Sequence, residues 1–392
     1  MSDALPAREV LRHRVLTAPA ELGLALTVPG VLRPLPDPGR PLPDGVGDAA
    51  ALWDAVAALP PGPSRESAFV STSRVAKRDL WRKGMDQEPE LAGRGEPPAG
   101  FEAVEGLDAG EGRAPLHALL RPPREGRGAV VVVHGMYDSK QSLYVRLAGE
   151  WLARQGWGVA LVDLRWHGRL LSERWLPTLG IEESRDLAAW AGLLRERWGE
   201  RPLGLLGFSL GALAVIHALA RPAAAEAFRL GGAAFSPPAS LGRSLQGLDR
   251  EVRFGRRGLE ASIPHLFQRL LRRRMELLGL PAGGPRPFGR FLEWLVQRLP
   301  GGPTSVAAFL QAADPLPALA GSRRPLLVVS SRNDPVFPEF TADELHRKAQ
   351  SHEGTLVVPT DAGGHIGHMG LYPEWTAEIL HRFFGLAGGV SP

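Results

Sequence analysis

An α/β architecture is predicted: a mostly parallel central sheet, helices on both of its faces, and a helical segment inserted late in the chain. Three observations predict it. Short charge-free runs such as "AVVVV" and "PLLVVSS" recur after residue 100, and segments of helical period separate them. Strand and helix alternate at close intervals, which implies parallel strands joined by helical crossovers. The alternation stops after Ser236 and resumes near Pro325.

Residues 1–100 differ in texture from the rest. "RPLPDPGRPLPDG" and "LPPGPSRES" are rich in Pro and Gly and flank the helix-like "GDAAALWDAVAAL", so this part reads as an arm with short helices. From Phe101, "FEAVEGLDA" and "PLHALLRP" form a hairpin pattern around "GEGR". "GAVVVVHG" is a continuous apolar run of the kind buried on both sheet faces. The helical "LYVRLAGEWLARQG", the strand "GVALVDLRWHG" and the helix "IEESRDLAAWAGLLRERWG" follow. The strand "RPLGLLGFS" then leads into the helix "LGALAVIHALA", and "RLGGAAFSP" supplies a further strand. After the helical stretch 236–324 come the strand "PLLVVSSRND", the helix "FTADELHRKAQ", the strand "GTLVVPTDAGGH" and a last helix, "PEWTAEILHRFFGL". The expected organisation is an arm (1–100), an α/β core (101–235 and 325–392) and a helical cap insertion (236–324).

The 392 residues are 44% hydrophobic and 22% charged, an ordinary balance for a globular enzyme with a large core. Cysteine is absent, which excludes disulfides and thiolate chemistry and fits a reducing compartment. The net charge of +4 is small, basic residues are interspersed with acids, and no nucleic-acid motif occurs, so no nucleic-acid partner is expected. The early apolar stretch "LGLALTVPGVL" is broken by Pro29 and Gly30 and is too short to span a bilayer. A soluble cytoplasmic protein is the expectation.

In "LLGFSLGA" and just before it, Gly204, Gly207 and Gly211 crowd around Ser209. Gly207-Phe208-Ser209-Leu210-Gly211 has the form G-x-S-x-G between a buried strand and a helix, where strand and helix pass too closely for side chains. A serine hydroxyl needs a base oriented by a third group. Asp334 in "SRNDPVFP" and His365 in "TDAGGHIGH" supply them, each just after a predicted strand. Asp361 is a rival acid, but it stands four residues before His365 on the same strand end; an acid from the neighbouring strand reaches the far ring nitrogen while Nε2 faces the serine. Oxyanion donors are expected from the backbone N–H of Leu210 and of Met136 in "HGMYDSK", with His134 bonded to backbone.

Taken in order, "VVVVHGMYDSK", "VDLRWHG", "GFSLGA", "SRNDPVFP" and "GGHIGH" resemble the α/β-hydrolase superfamily over about residues 101–387. The chain order Ser…Asp…His is that of the superfamily's catalytic triad. The resemblance implies a serine hydrolase that cleaves a carboxylic ester or related acyl bond through an acyl-enzyme, with an apolar small-molecule acyl substrate. Where many lipase-like esterases carry a triple glycine, this chain has a single "HG" followed by Met136 and Tyr137, bulky residues that narrow the acyl pocket.

Two alternatives carry the same residues: an acyltransferase using the same triad, and a non-catalytic binding protein that keeps the fold. Product analysis with an added acceptor separates the first, and reactivity of Ser209 toward a fluorophosphonate separates the second. No cofactor is expected. There is neither G-x-G-x-x-G after the first parallel strand nor a phosphate loop. His365 and His368, with His134 or His167, lack H-E-x-x-H spacing, so no metal is expected. In "FQRLLRRRMELLGL", Arg269, Arg272, Arg273 and Arg274 alternate with leucines. The reading adopted is a cap helix with its apolar stripe on the core and its arginines in water; contact with an anionic membrane through this helix is the alternative.

Overall fold

The computed structural model describes residues 96–387 apart from 111, 250–261, 281–285, 300, 335, 338–340, 350–351, 353, 361–362 and 372. The expected N-terminal arm and the rival acid Asp361 therefore lie outside the described residues, the arm but for its last five positions. In chain order the core begins with strands β1 (Glu102–Leu107), β2 (Leu116–Arg121) and β3 (Ala129–Val133). Helix α1 (Leu143–Arg154), β4 (Gly158–Val162) and α2 (Ile181–Trp198) follow, then β5 (Leu203–Phe208), α3 (Leu210–Ala220), α4 (Pro222–Ala227) and β6 (Gly232–Phe235). The return to the core comprises β7 (Leu326–Ser331), a helix over Thr341–Ala349, β8 (Thr355–Thr360), a short helix over His368–Leu371 and a last one over Pro373–Ala387.

The sheet order is β1-β2-β4-β3-β5-β6-β7-β8. The β1–β2 and β2–β4 pairs are antiparallel, and every pair from β4 to β8 is parallel. Each central strand is buried along its whole length, as a sheet covered on both faces requires. The period of two sorts the side chains: Val131 and Val133 join the core beneath α2 and α3, while Val130 and Val132 join the core beneath α1 and the last helix. Pro359 lies in β8, which ends the sheet on one side; a proline is tolerated on an edge strand, where one side of the backbone has no partner to satisfy.

Between β6 and β7 the described residues form five helices: α5 (Leu241–Leu248), α6 (Ser262–Leu277), α7 (Pro287–Val296), α8 (Val306–Ala313) and α9 (Pro315–Ala320). In keeping with this order, the helix over Thr341–Ala349 is α10, the short one α11 and the last α12. Helix α7 starts at Pro287, and the Asp249 carboxylate accepts the Phe288 and Gly289 N–H groups at 2.8 and 2.7 Å, satisfying amides that the helix cannot. Leu271, Met275, Phe291, Leu292 and Leu295 are buried in the same cluster as the core beneath α2 and α3, so the inserted helices share the main core.

One expectation for α6 fails. Arg269 is exposed and Arg272 and Arg273 are half-buried, but Arg274 is only 2% exposed. It lies seven residues after Phe267 and three after Leu271, on the face that meets the core, rather than on the face in water. Among the described residues no helix is long and apolar enough to cross a membrane.

Candidate active site

Ser209 stands between the end of β5 and the start of α3 with φ of 53°, a left-handed conformation for a residue with a side chain. The strain falls on the serine itself, and the flanking glycines serve another purpose. A Cβ on Gly207 would lie 2.5 Å from the carbonyl carbon of Gly211, and one on Gly211 would lie 2.6 Å from the carbonyl oxygen of His134. Strand β5, helix α3 and the end of β3 thus pass at a separation that only hydrogen allows.

The structure brings Ser209, His365 and Asp334 together. His365 Nε2 lies 2.8 Å from Ser209 Oγ, and Nδ1 lies 2.8 Å from Asp334 Oδ2. With the proton on Nδ1 directed at the carboxylate, Nε2 is free to accept from the serine hydroxyl. The second oxygen of Asp334 accepts the Val336 N–H at 2.8 Å, and Asn333 Oδ1 accepts the Gly364 N–H at 2.9 Å, which ties the Asp334 loop to the His365 loop. All three side chains are screened from water: Ser209 is 9% exposed, and the side chains of His365 and Asp334 are each 3% exposed.

Main-chain bonds set the spacing of the strand ends beneath this group. Ser209 N–H donates to Phe235 O at 2.8 Å, Ser236 N–H to Val329 O at 2.7 Å, and Arg332 N–H to Thr360 O at 2.8 Å. Serine, acid and imidazole therefore stand on one continuous edge running from β5 to β8.

Met136 and Leu210 flank the serine. Neither of their N–H groups donates to a protein acceptor among the described residues. The loop carrying Met136 lies against Ser209, since a Cβ on Gly135 would be 3.3 Å from Ser209 Cβ. Tyr144 fixes that loop from below: its hydroxyl accepts Gly135 N–H at 2.7 Å and donates to Asp138 Oδ2 at 2.9 Å. Lys140 is buried in an ion pair with Asp163, which also accepts the Lys140 N–H at 2.8 Å, joining the loops after β3 and β4. His134 bonds backbone on both sides, to Gly135 O at 2.7 Å and from Leu164 N–H at 3.1 Å.

A small cavity with an apolar surface is bordered by Met136, Tyr137, Trp166, Leu210, Leu271 and Phe291. Helix α6 crosses above it. The Phe267 ring stands 5.8 Å from Tyr137 and 6.3 Å from His365, and Phe337 meets His365 edge-on at 4.8 Å.

His368 does not bond Ser209, His365 or Asp334: its Nε2 faces Ser331 Oγ at 3.2 Å and Thr360 Oγ1 at 3.1 Å. Burial holds its pKa down to about 4. Among the described residues no three His, Cys, Asp or Glu side chains are grouped to hold a metal. Sequence reasoning passed over Tyr144 and the Lys140–Asp163 pair, and it placed Arg274 in water. Helical spacing from Phe267 and Leu271 is the signal that marks Arg274 as inward-facing.

Chemically, an alcohol bonded to an imidazole that a carboxylate orients can attack an electrophilic centre, and two unengaged amides beside it can hold developing negative charge. Residues 130–379 match the model of a family described as the alpha/beta hydrolase family. A curated Synechocystis protein named "Putative esterase slr0264" is 24% identical over 76% of this chain and 83% of its own length. Among solved structures, the Pyrococcus furiosus esterase Pf2001 superposes with a TM-score of 0.51 at 21% identity, over 73% of this chain and 93% of that one. A 2,6-dihydroxy-pseudo-oxynicotine hydrolase superposes with a TM-score of 0.52 at 16% identity, over 88% of this chain and 83% of that one. These structural likenesses speak to the fold.

Proposed function

The chain belongs to the alpha/beta hydrolase family, and we propose that within it the protein is a serine esterase that cleaves an ester of an apolar carboxylic acid. The observation that carries this reading is the pair of 2.8 Å contacts that links Ser209 Oγ through the His365 ring to Asp334. Ser209 Oγ attacks the ester carbonyl as His365 Nε2 takes its proton. Asp334 holds the ring and offsets the positive charge it gains. The carbonyl oxygen, now negative, accepts from the N–H groups of Met136 and Leu210. His365 returns its proton to the departing alcohol, leaving an acyl-serine. The same ring then draws a proton from water, which attacks the acyl carbon, and passes it to Ser209 Oγ as the bond to the serine breaks and the acid departs.

The apolar lining next to Met136 and Leu210 supports an acyl group without charge. The curated esterase relative supports ester cleavage. The inserted helices act as a cap that shields the reaction from bulk water. The test is hydrolysis of p-nitrophenyl esters of graded acyl length. Ser209→Ala is expected to lower kcat by on the order of 10⁴ to 10⁶, as when one member of a cooperating triad is lost. A fluorophosphonate is expected to label the wild type at Ser209. A loss of only a few-fold, with no labelling, overturns the covalent mechanism.

A further inference from the structure

Two turns on the site edge repeat one unusual arrangement. Gly135–Asp138 is closed by Asp138 N–H donating to Gly135 O at 3.3 Å, and its third residue, Tyr137, has φ of 66°. Leu164–His167 is closed by His167 N–H donating to Leu164 O at 3.1 Å, and its third residue, Trp166, has φ of 61°. That position with positive φ favours glycine or asparagine, and a large aromatic persists there only where its surroundings hold it. The two turns follow β3 and β4, which are paired neighbours with Val133 opposite Val162.

Arg274 of α6 lies between the two rings. Its Cζ is 5.1 Å from the Tyr137 centroid and 5.0 Å from that of Trp166, and Nη1 donates to Trp166 O at 3.2 Å. It forms no ion pair with a carboxylate among the described residues. The aromatic faces and one carbonyl, with the Asp138 charge acting from beyond ion-pair distance, take the place of a close counter-ion, an arrangement a guanidinium tolerates better than an ammonium because it is more weakly hydrated. Burial lowers its pKa to about 10, so it stays charged at neutral pH. Among the described residues, Tyr144 and Lys140 fix the Met136 loop from the core, whereas Arg274 and Phe267, which meets Tyr137 at 5.8 Å, reach it from the insertion.

We propose that Arg274 is a positioning residue: by clamping Tyr137 against Trp166 it sets the aim of the adjacent Met136 N–H at the oxyanion, so that the inserted helices help to complete the catalytic centre. This role rests on the esterase reading above, with Met136 as a donor. The charge does not touch the reacting atoms; it acts through the turn.

The experiment compares Arg274→Met, Arg274→Lys and Ser209→Ala with the wild type as full-length protein. Readouts are kcat and KM for p-nitrophenyl acetate and hexanoate, the rate of fluorophosphonate labelling, and melting temperature. Misplacing a donor by an ångström costs about 10²-fold. Arg274→Met is therefore expected to lower kcat by about that factor for both esters, with KM within threefold and labelling slowed in proportion. Arg274→Lys, which keeps a cation for the rings and a donor for the Trp166 carbonyl, is expected to recover at least about tenfold of that loss.

A loss confined to KM, or one that grows with acyl length, overturns the proposal by showing that Arg274 only shapes the pocket. Wild-type kcat in folded Arg274→Met overturns it as well, as does an Arg274→Lys variant no better than Met. Should Arg274→Met fail to fold, Arg274→Gln takes its place: a fall in kcat at constant KM supports the proposal, and unchanged kcat refutes it. Full activity in Ser209→Ala would sink the esterase reading and this role with it, whereas an inactive Ser209→Ala beside a fully active Arg274→Met sinks only the role.

Discussion

Replacing Gly211 by alanine puts a methyl group where helix α3 crosses the end of β3. The new carbon would meet the carbonyl oxygens of Val133 and His134, the latter at 2.6 Å. Val133 belongs to a strand paired on each side and His134 follows it directly, so neither carbonyl can readily rotate out of the way. Restoring an ordinary contact of 3.4 Å requires α3 to retreat by about 1 Å. Ser209 and Leu210 lead directly into that helix and would move with it, whereas His365 and Met136 are held by other strands. The 2.8 Å contact from His365 Nε2 to Ser209 Oγ would lengthen beyond hydrogen-bond range, and the Leu210 N–H would lose its aim.

Such a displacement is expected to lower kcat by about 10² to 10³, the range for an ångström of misplacement or one lost oxyanion donor. The overpacking cost of about 1–3 kcal/mol leaves a protein of ordinary stability folded at 25 °C. Steady-state ester hydrolysis and fluorophosphonate labelling are the assays, with melting temperature as the check on folding. Gly192→Ala is the control. Gly192 is exposed on α2 with open space around its Cβ position, and alanine there is expected to add up to about 1 kcal/mol of stability without changing kcat. A folded Gly211→Ala protein with kcat within threefold of the wild type would refute the close-approach reasoning.

Two further outcomes are expected. Asp334→Asn keeps the shape of the site but lets the His365 ring adopt the wrong tautomer, and kcat should fall by roughly 10⁴ while melting temperature changes little; a tenfold loss or less would move the orienting role to another acid. His368 titrates near 4 in the folded chain because burial outweighs the attraction of Asp334, against 6.5 when unfolded. The unfolded chain then binds the proton first, so the stability this residue contributes is complete above pH 6.5 and is lost as pH falls toward 4. Urea unfolding should show about 3 kcal/mol of that loss, absent in His368→Asn, and equal slopes in the two proteins would contradict it.

Much of the fold could be read from residue order because the buried strands are nearly pure. "AVVVV" and "LLVVSS" have no polar face to hide, and β3 and β7 coincide with them. The insertion of β4 between β2 and β3 had no such signal, since strand order depends on which crossovers pack and not on any one segment. At the site, the serine, histidine and acid could be picked out because nucleophile chemistry restricts residue types and β–α turns restrict their place. The three glycines in and just before "LLGFSLGA" divide by use. Gly207 and Gly211 permit close passage of the elbow, while a Cβ on Gly204 would be 2.8 Å from the Phe384 ring, in the packing of α12. Tyr137 and Trp166 were illegible as left-handed turn residues because their size argues against that conformation. Arg274 was hidden by its residue type, though helical spacing from Phe267 and Leu271 places it inward.

The main-chain bonds that join Ser209 to Phe235, Ser236 to Val329 and Arg332 to Thr360 have a wider consequence. They contain no side-chain atoms, so the gauge between nucleophile and base is independent of which residues decorate the surrounding walls. Under the proposed mechanism, a chain built this way could exchange its inserted helices, and with them the apolar groups set before the substrate, without retuning Ser209, His365 and Asp334. Selectivity and reactivity are then inherited separately, except where a bridge such as Arg274 couples them.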